Sequence, residues 1–150
     1  MIVGVKINKR SVYSDERGRI IHMLKSTDSL LDSFGEIYCS TIFPAVVKGW
    51  HLHKSVTINY FVIRGNIKFV LYDGREGSSS QNQIQEIIMG ESNNVIVSVP
   101  PNIWNGFKCI SLKESYVVNI QNKPYDENEV LRMDPYGNDI IRYNWKTKDK

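Results

Sequence analysis

The amino-acid sequence predicts an all-β fold in one domain, a barrel or sandwich of short strands. Two observations predict it. Apolar and polar residues alternate with a period of two over many short segments, and turn-forming residues bound these segments. The length of 150 residues is that of a single domain, and no linker or internal repeat divides the chain between residues 1 and 150.

Ten segments carry the alternating pattern and are predicted strands. In chain order they are residues 2–7, 19–23, 36–43, 47–51, 58–63, 67–72, 84–89, 95–99, 104–110 and 116–121. The Arg-Gly-Asn sequence at 64–66 predicts a tight hairpin, and Asp-Gly at 73–74 opens a polar loop. Two prolines at 100–101 interrupt the ladder of hydrogen bonds, because proline has no N–H to donate.

One short helix is predicted over residues 27–34. Ser26 or Thr27 can cap its N-terminus, Leu30 contributes to its apolar side, and Gly35 would end it. A helix of this length would be an addition to a β core.

Composition and charge exclude several classes of protein. Lys and Arg outnumber Asp and Glu by 19 to 16, and a net charge of +3 is too small and too dispersed for a nucleic-acid surface. The start of the chain lacks the apolar core of a signal peptide, and no apolar run approaches the roughly 18 residues of a membrane span. We therefore expect a cytoplasmic protein without a membrane partner, in which residues 146–150 form a frayed tail.

The two cysteines, Cys39 and Cys109, each lie within an apolar, strand-like run. Their spacing matches no common metal-binding or redox motif. We expect both to be buried free thiols.

Two of the three histidines, His51 and His53, are the most informative residues. Residues two apart on a strand share a face, so both imidazoles converge on one patch. The pair could be structural, could bind a metal, or could include a general base. Residues 54–60 contain no Glu, Asp, His or Cys as a third ligand, and His22 lies on another predicted strand, so we expect no metal.

Short motifs accompany the histidines in a specific order. They are Asp-Glu-Arg-Gly at 15–18, Lys-Gly-Trp-His at 48–51, Arg-Gly at 64–65, Asp-Gly-Arg at 73–75, Pro-Pro-Asn-Ile-Trp-Asn-Gly-Phe at 100–107 and Asp-Pro at 134–135. This order resembles the cupins that act on nucleotide-linked 4-keto-6-deoxy sugars, namely the dTDP-4-dehydrorhamnose 3,5-epimerases and the related 3,4-ketoisomerases. The resemblance implies a single-domain cupin, or jelly-roll β-barrel, that needs no cofactor. It also implies a dTDP-linked sugar substrate, a homodimer and a role in cell-surface polysaccharide synthesis.

The resemblance implies roles for individual side chains. His51 stands where the epimerases have their general base, and Arg17 and Lys48 stand where they hold the nucleotide diphosphate. Arg75, in the matching Asp-x-Arg motif, and Trp104, which could stack on the base or sugar, are further substrate-binding candidates.

The reaction of these families begins with removal of a proton from a carbon next to the 4-keto group. The resulting enolate needs a group that holds its oxygen and a group that returns a proton. The polar candidates are His53, Tyr60, Asn105, Tyr116 and Tyr125, of which Tyr116 is also a substrate-binding candidate.

The chain departs from the epimerases at two positions. Val118 stands where they have a general-acid tyrosine, and Ile58 stands near their active-site lysine. The His-x-His-Lys sequence at 51–54 is instead similar to the 3,4-ketoisomerases, which use a histidine pair. An epimerase, a ketoisomerase and a non-catalytic sugar-nucleotide-binding cupin therefore stay open. In the epimerases an aspartate in a late Ser-x-Lys-Asp segment orients the general base, and residues 147–149, Thr-Lys-Asp, resemble a shortened form of that segment.

Overall fold

The computed structural model describes residues 1–147 and consists of β-strands joined by turns and loops. The strands of this part of the chain are β1 (Lys6–Lys9), β2 (Val12–Asp15), β3 (Gly18–Ile21), β4 (Glu36–Ile42), β5 (Val47–His53), β6 (Ile58–Arg64), β7 (Asn66–Tyr72), β8 (Ile84–Gly90), β9 (Val95–Val99), β10 (Trp104–Cys109), β11 (Ser115–Gln121) and β12 (Val130–Arg132). This confirms the all-β prediction. None of the helical turns within residues 1–147 has the length and apolar character needed to cross a membrane.

Two five-stranded antiparallel sheets face each other. Sheet I has the strand order β1-β9-β6-β11-β4, and sheet II has the order β12-β5-β10-β7-β8. Strands β2 and β3 form a separate hairpin. Successive strands from β4 to β7 alternate between the two sheets, which is the connectivity of a jelly roll, as the sequence resemblance implied.

The main core fills the space between the sheets because each strand turns alternate side chains inward. Tyr60 of β6 and Phe69 of β7 meet there across the sheets with ring centroids 4.7 Å apart. Phe69, Met89 of β8 and Val97 of β9 have no solvent-exposed surface. Burial of this apolar area is the main contribution to the stability of the fold.

The outer face of sheet II is also covered. Trp50 of β5 and Val70 of β7 pack there against Ile141 and Trp145 of the C-terminal segment, residues 133–147. The Trp50 and Trp145 rings lie 5.1 Å apart. Strand β5 is therefore packed on both of its faces.

The predicted helix over residues 27–34 is wrong. Only one 3-10 turn, Ser26–Asp28, forms there, and it ends at Ser29, whose φ of 51° is left-handed. Beyond it, the Leu30 carbonyl accepts a hydrogen bond from Nδ2 of Asn59 on sheet I at 3.1 Å, while the Leu30 side chain packs on the outer face of that sheet. Burial against sheet I decides the conformation here, and local helix signals do not.

Other differences from the sequence predictions concern short strands, strand boundaries and the exposure of one cysteine. Strands β2 and β12 were not predicted, and the predicted strand 2–7 is displaced, since β1 begins at Lys6. Cys109 is buried, but Cys39 is exposed on the outer face of the edge strand β4, so its predicted burial is wrong. The predicted tail at 146–150 lies outside the described residues from position 148 onward, as does Asp149.

Candidate active site

A β-bulge in β5 determines which side chains enter the space between the sheets. Asn105 of β10 pairs with His51, but the next residue, Gly106, pairs with Gly49, so Trp50 is an extra residue in the ladder. The bulge brings Lys48 to the same inner face as the histidines and leaves Trp50 on the outer face. Gly49 fits the bulge because a Cβ there would lie 2.8 Å from the Gly106 Cα.

The inner face of β5 borders a cavity of about 250 Å³ between the two sheets. Side chains of sheet I and sheet II both line it, and most of them are polar. The lining residues are Tyr38, Ser40, Lys48, His51, His53, Tyr60, Asn105, Phe107, Asn119, Gln121, Tyr125, Val130 and Arg132. A concave site with several convergent polar groups is the usual form of a small-molecule binding site.

The His51 imidazole is kept neutral by its surroundings. Its pKa is lowered from 6.5 to about 4, mainly by burial and next by the nearby positive charge of Arg132, with smaller effects in the same direction from His53 and Lys48. At neutral pH the ring therefore carries no charge and has a free nitrogen lone pair. A partly exposed neutral imidazole facing a cavity can accept a proton from a bound molecule.

The second histidine, His53, is held by a carboxylate from a distant part of the chain. Its Nδ1 lies 2.9 Å from Oε2 of Glu129, and both side chains are at least nine-tenths buried. The other Glu129 oxygen accepts the backbone N–H groups of Ser55 and Val56 at 2.6 and 2.9 Å. Glu129 thus fixes the His53 ring and the loop after β5 together.

Tyr60 and Asn105 form a buried bridge between the sheets. The Tyr60 hydroxyl donates to Oδ1 of Asn105 at 2.9 Å, and Nδ2 of Asn105 donates to the His51 carbonyl at 3.1 Å. Complete burial raises the pKa of Tyr60 well above its usual value, so its hydroxyl stays protonated. The bridge fixes the backbone of His51 from the side of sheet I.

Two cations border the cavity. Nζ of Lys48 donates to Oγ of Ser40 at 3.0 Å and to the Thr41 carbonyl at 2.6 Å. Arg132 of β12 pairs in register with His51, and its guanidinium makes no hydrogen bond or ion pair with the residues that the structure describes. Just beyond Arg132, Met133 exchanges both backbone hydrogen bonds with Trp50, at 2.7 and 3.0 Å.

A further tyrosine, Tyr38 of the edge strand β4, lines the cavity from sheet I. Nε2 of Gln121, a buried residue of β11, donates to the Tyr38 hydroxyl at 3.2 Å. Partial burial raises the pKa of Tyr38, and the negative charge of Glu36 adds to that effect. The phenol is therefore protonated at neutral pH.

The structure brings six of the sequence-predicted site residues together at the cavity, namely Lys48, His51, His53, Tyr60, Asn105 and Tyr125. The other four are elsewhere. Arg17 lies on the β2–β3 hairpin, where it pairs with Asp15, and Arg75 pairs with the buried Asp73. Trp104 packs on the outer face of sheet II, and the Tyr116 hydroxyl donates to Glu114.

Sequence reasoning missed Tyr38, Gln121, Glu129 and Arg132. Glu129 precedes β12 and Arg132 is its last residue, and this three-residue strand after a polar stretch is too short to produce a period-two signal. Tyr38 alternates with Ser40 on β4 and could have been placed on an inner face by that alternation. Nothing in the sequence indicated which of the eight tyrosines would face the histidines.

A larger groove of about 540 Å³ lies on the outer side of sheet II, bordered by apolar side chains such as Ile88, Ile110 and Leu112. It contains no histidine, and its lysines, Lys68 and Lys108, donate to backbone carbonyls of the C-terminal segment. The smaller cavity at His51 is therefore the candidate active site. Within residues 1–147, no group of three His, Cys, Asp or Glu side chains is arranged to hold a metal ion, and metal independence stays a prediction.

Comparisons with known proteins match the whole length of the chain. The family model described as dTDP-4-dehydrorhamnose 3,5-epimerase matches residues 1–149. The spore coat polysaccharide biosynthesis protein SpsL of Bacillus subtilis is 29% identical over 150 residues, which is 99% of each protein. The probable low-salt glycan biosynthesis epimerase Agl13 of Haloferax volcanii is 31% identical, over 98% of this chain and 96% of that protein.

A solved structure is similar over the same length. The dTDP sugar isomerase from Desulfovibrio desulfuricans has a TM-score of 0.92 and 30% sequence identity, covering 99% of this chain and 94% of that one. The similarity therefore extends across both sheets of the fold.

Proposed function

Because the chain belongs to the dTDP-4-dehydrorhamnose 3,5-epimerase family, we propose that it epimerises a nucleotide-activated 4-keto sugar with His51 as the general base. Family membership makes it an isomerase of sugar nucleotides. Its whole-length relatives include SpsL and Agl13, whose names refer to polysaccharide and glycan biosynthesis, and we assign the chain to the synthesis of a cell-surface polysaccharide.

The observation that carries the proposal is the neutral His51 imidazole at the wall of a polar cavity. The carbonyl group of a 4-keto sugar acidifies the C–H bonds on its neighbouring carbons. A neutral imidazole takes one of these protons, and the electron pair of the C–H bond moves toward the carbonyl oxygen to give an enolate. A base with a pKa of about 4 is fully available at neutral pH, although each proton transfer to it is less favourable than to an ordinary histidine.

The cations at the cavity favour this step. The enolate oxygen is negative, and the Arg132 guanidinium, which has no partner among residues 1–147, is adjacent to His51 and can stabilise that charge. Lys48 is a second positive charge on the same wall. The volume of about 250 Å³ equals about eight water molecules at roughly 30 Å³ each, which suits one sugar ring with the nucleotide outside the mouth.

Finer features of the proposal come from the family. We assign dTDP as the nucleotide, a homodimer as the assembly and the cytoplasm as the location. Exposed apolar side chains on the edge strand β4 and on the β2–β3 hairpin, such as Ile37 and Ile20, support a protein contact there. A solution mass near that of one 17.3 kDa chain would contradict the dimer.

Solvent exchange tests the proposal. In D₂O the wild-type protein should transfer deuterium to carbon 3 or carbon 5 of a 4-keto-6-deoxyhexose, followed by proton NMR, with dTDP- and UDP-linked donors supplied separately. His51→Asn should reduce this exchange by about 10²–10⁴-fold, the usual contribution of a general base. His22→Asn is the matched control, because His22 is exposed and far along the chain from the cavity residues. Absence of exchange by the wild type with every donor would contradict the proposal.

A 3,4-ketoisomerase is a second candidate, favoured by one observation. His53 lies beside His51 on the same wall and is held by Glu129, so two imidazoles are available to relay a proton between the oxygens of carbons 3 and 4. The product distinguishes the two reactions. A 3-keto sugar in the same NMR spectra, without an inverted 4-keto sugar, would identify the ketoisomerase.

A further inference from the structure

We infer that Tyr38 is the proton donor that faces His51 across the cavity and completes the inversion of the sugar carbon. This inference rests on the proposed function, because it assigns the second half of the same reaction. Inversion needs a proton acceptor on one face of the sugar ring and a donor on the other. The structure offers such a pair on opposite walls.

The positions of the strands place the two side chains on opposite walls. Tyr38 lies on β4, at the edge of sheet I, and its strand alternates so that Tyr38 and Ser40 line the cavity while Ile37 and Cys39 face outward. His51 lies on β5 of sheet II. A sugar ring held between the sheets therefore presents one face to the imidazole and the other to the phenol.

The hydrogen bond to Tyr38 leaves its own proton uncommitted. Gln121 donates to the Tyr38 oxygen, so this oxygen is an acceptor in that bond and its O–H is free to point into the cavity. Gln121 is 2% exposed, which fixes the amide and with it the phenolic oxygen.

Neither other tyrosine of the cavity has both properties. The Tyr60 hydroxyl donates its proton to Asn105, so that proton is already used in the bridge between the sheets. Tyr125 is 57% exposed, and its hydroxyl has no hydrogen bond to any residue that the structure describes. Val118, next to Asn119 on β11, has no proton to give.

The proposed step balances. After His51 has taken the carbon-bound proton, the enolate holds its electron pair between the carbon and the oxygen. The carbonyl re-forms, that pair makes a new C–H bond with the Tyr38 proton on the opposite face, and the phenol becomes a phenolate. His51 loses its proton to water and Tyr38 regains one from water, which reaches it because Tyr38 is 42% exposed at the edge of sheet I.

The conservative change Tyr38→Phe tests the inference, because it removes the hydroxyl and keeps the ring. With the nucleotide donor that the wild type accepts, we expect formation of the inverted sugar to fall by about 100-fold or more. Exchange of the substrate proton with D₂O, with retained configuration, should stay within a few-fold of the wild type, because His51 still removes and returns a proton from its own side. Tyr125→Phe is the competing variant and should lose much less inversion than Tyr38→Phe.

The outcomes separate this inference from the proposed function. Inversion by Tyr38→Phe at a near wild-type rate, an equal loss of exchange and inversion, or a selective loss in Tyr125→Phe would each overturn the role of Tyr38. A wild-type protein that exchanges no proton would instead overturn the proposed function, and the inference with it. Thermal unfolding of each variant checks that the fold is unchanged, which we expect because Tyr38 is at an exposed edge.

Discussion

The space between the two sheets has two halves of opposite character. In one half, Phe69, Met89 and Val97 fill the space with apolar side chains that have no exposed surface. In the other half, the space around His51 and Arg132 is a cavity of about 250 Å³ lined mainly by polar groups. The same strands contribute to both halves, since β10 supplies Cys109 to the core and Asn105 to the cavity.

The contrast indicates that one half of the fold mainly provides stability and the other mainly provides activity. The filled half contributes most of the apolar burial, so it stabilises the sheets. The polar half buries groups that need hydrogen-bond partners, and it keeps a neutral imidazole and a nearby cation in place at some cost in stability. Substitutions in the first half should therefore change stability, and substitutions in the second should mainly change activity.

The largest expected effect is in the filled half. Phe69→Ala removes a fully buried ring between the sheets, where it contacts Tyr60 and Phe107, and should lower the free energy of unfolding by about 3–5 kcal/mol. Chemical denaturation measures this loss. Exchange activity per folded molecule should change far less than in His51→Asn. An equal loss of activity in both variants would contradict the separation of stability and activity between the two halves.

A smaller effect is expected at the boundary between the halves. Asn105→Leu leaves the buried Tyr60 hydroxyl without its acceptor and should cost about 1–3 kcal/mol of unfolding free energy. Adding Tyr60→Phe removes the unpaired hydroxyl, so the double variant should be more stable than the sum of the free-energy losses of the two single variants predicts. Strict additivity in this double-mutant cycle would show that the bridge does not couple the two sheets.

The smallest effect is a shift of a pH profile. Because the pKa of His51 is about 4 in the folded protein, exchange should be nearly independent of pH near neutrality and fall only as the pH approaches about 4, where the base becomes protonated. Stability should also fall between pH 6.5 and about 4, since the unfolded chain binds the proton that the folded chain excludes. Circular dichroism at each pH separates loss of the base from unfolding.

Arg132→Met sharpens the same comparison. Removing a positive charge beside His51 raises the pKa of the imidazole, so the acid limb of the exchange profile should move toward higher pH. Lys54→Met is the matched control, because Lys54 is an exposed lysine of the loop after β5 and does not contribute to that shift. An unmoved limb in Arg132→Met would show that Arg132 does not contribute to the lowered pKa.

The filled half of the molecule was more predictable from sequence than the polar half. Strands such as β6, β7 and β9 are buried along most of their length, so they are rich in apolar residues and their positions were predicted nearly to the residue. The grouping of His51 with His53 followed from the alternation of side chains along a strand. The presence of Lys48 on that face did not, because it depends on the bulge at Trp50.

The features that could not be predicted from the sequence depend on contacts between distant parts of the chain or on very short strands. His53 and Glu129 are 76 residues apart, and only the docking of β12 onto β5 brings them together. The hairpin of β2 and β3 has no buried face, so β2 has no hydrophobic pattern to detect. At residues 27–34 the local signals for a helix were present, and packing on sheet I prevailed over them.

The reciprocal hydrogen bonds between Trp50 and Met133 constrain insertions and deletions in the segment that leads into β12. They set the register of β12, in which Val130, Leu131 and Arg132 pair with His53, Leu52 and His51. One inserted residue between Glu129 and Met133 would turn each side chain of β12 to the opposite face and replace Arg132 by an apolar neighbour at the cavity. The loop at 73–83 does not line the cavity, so we expect the site to tolerate an insertion there but not in the short segment that leads into β12.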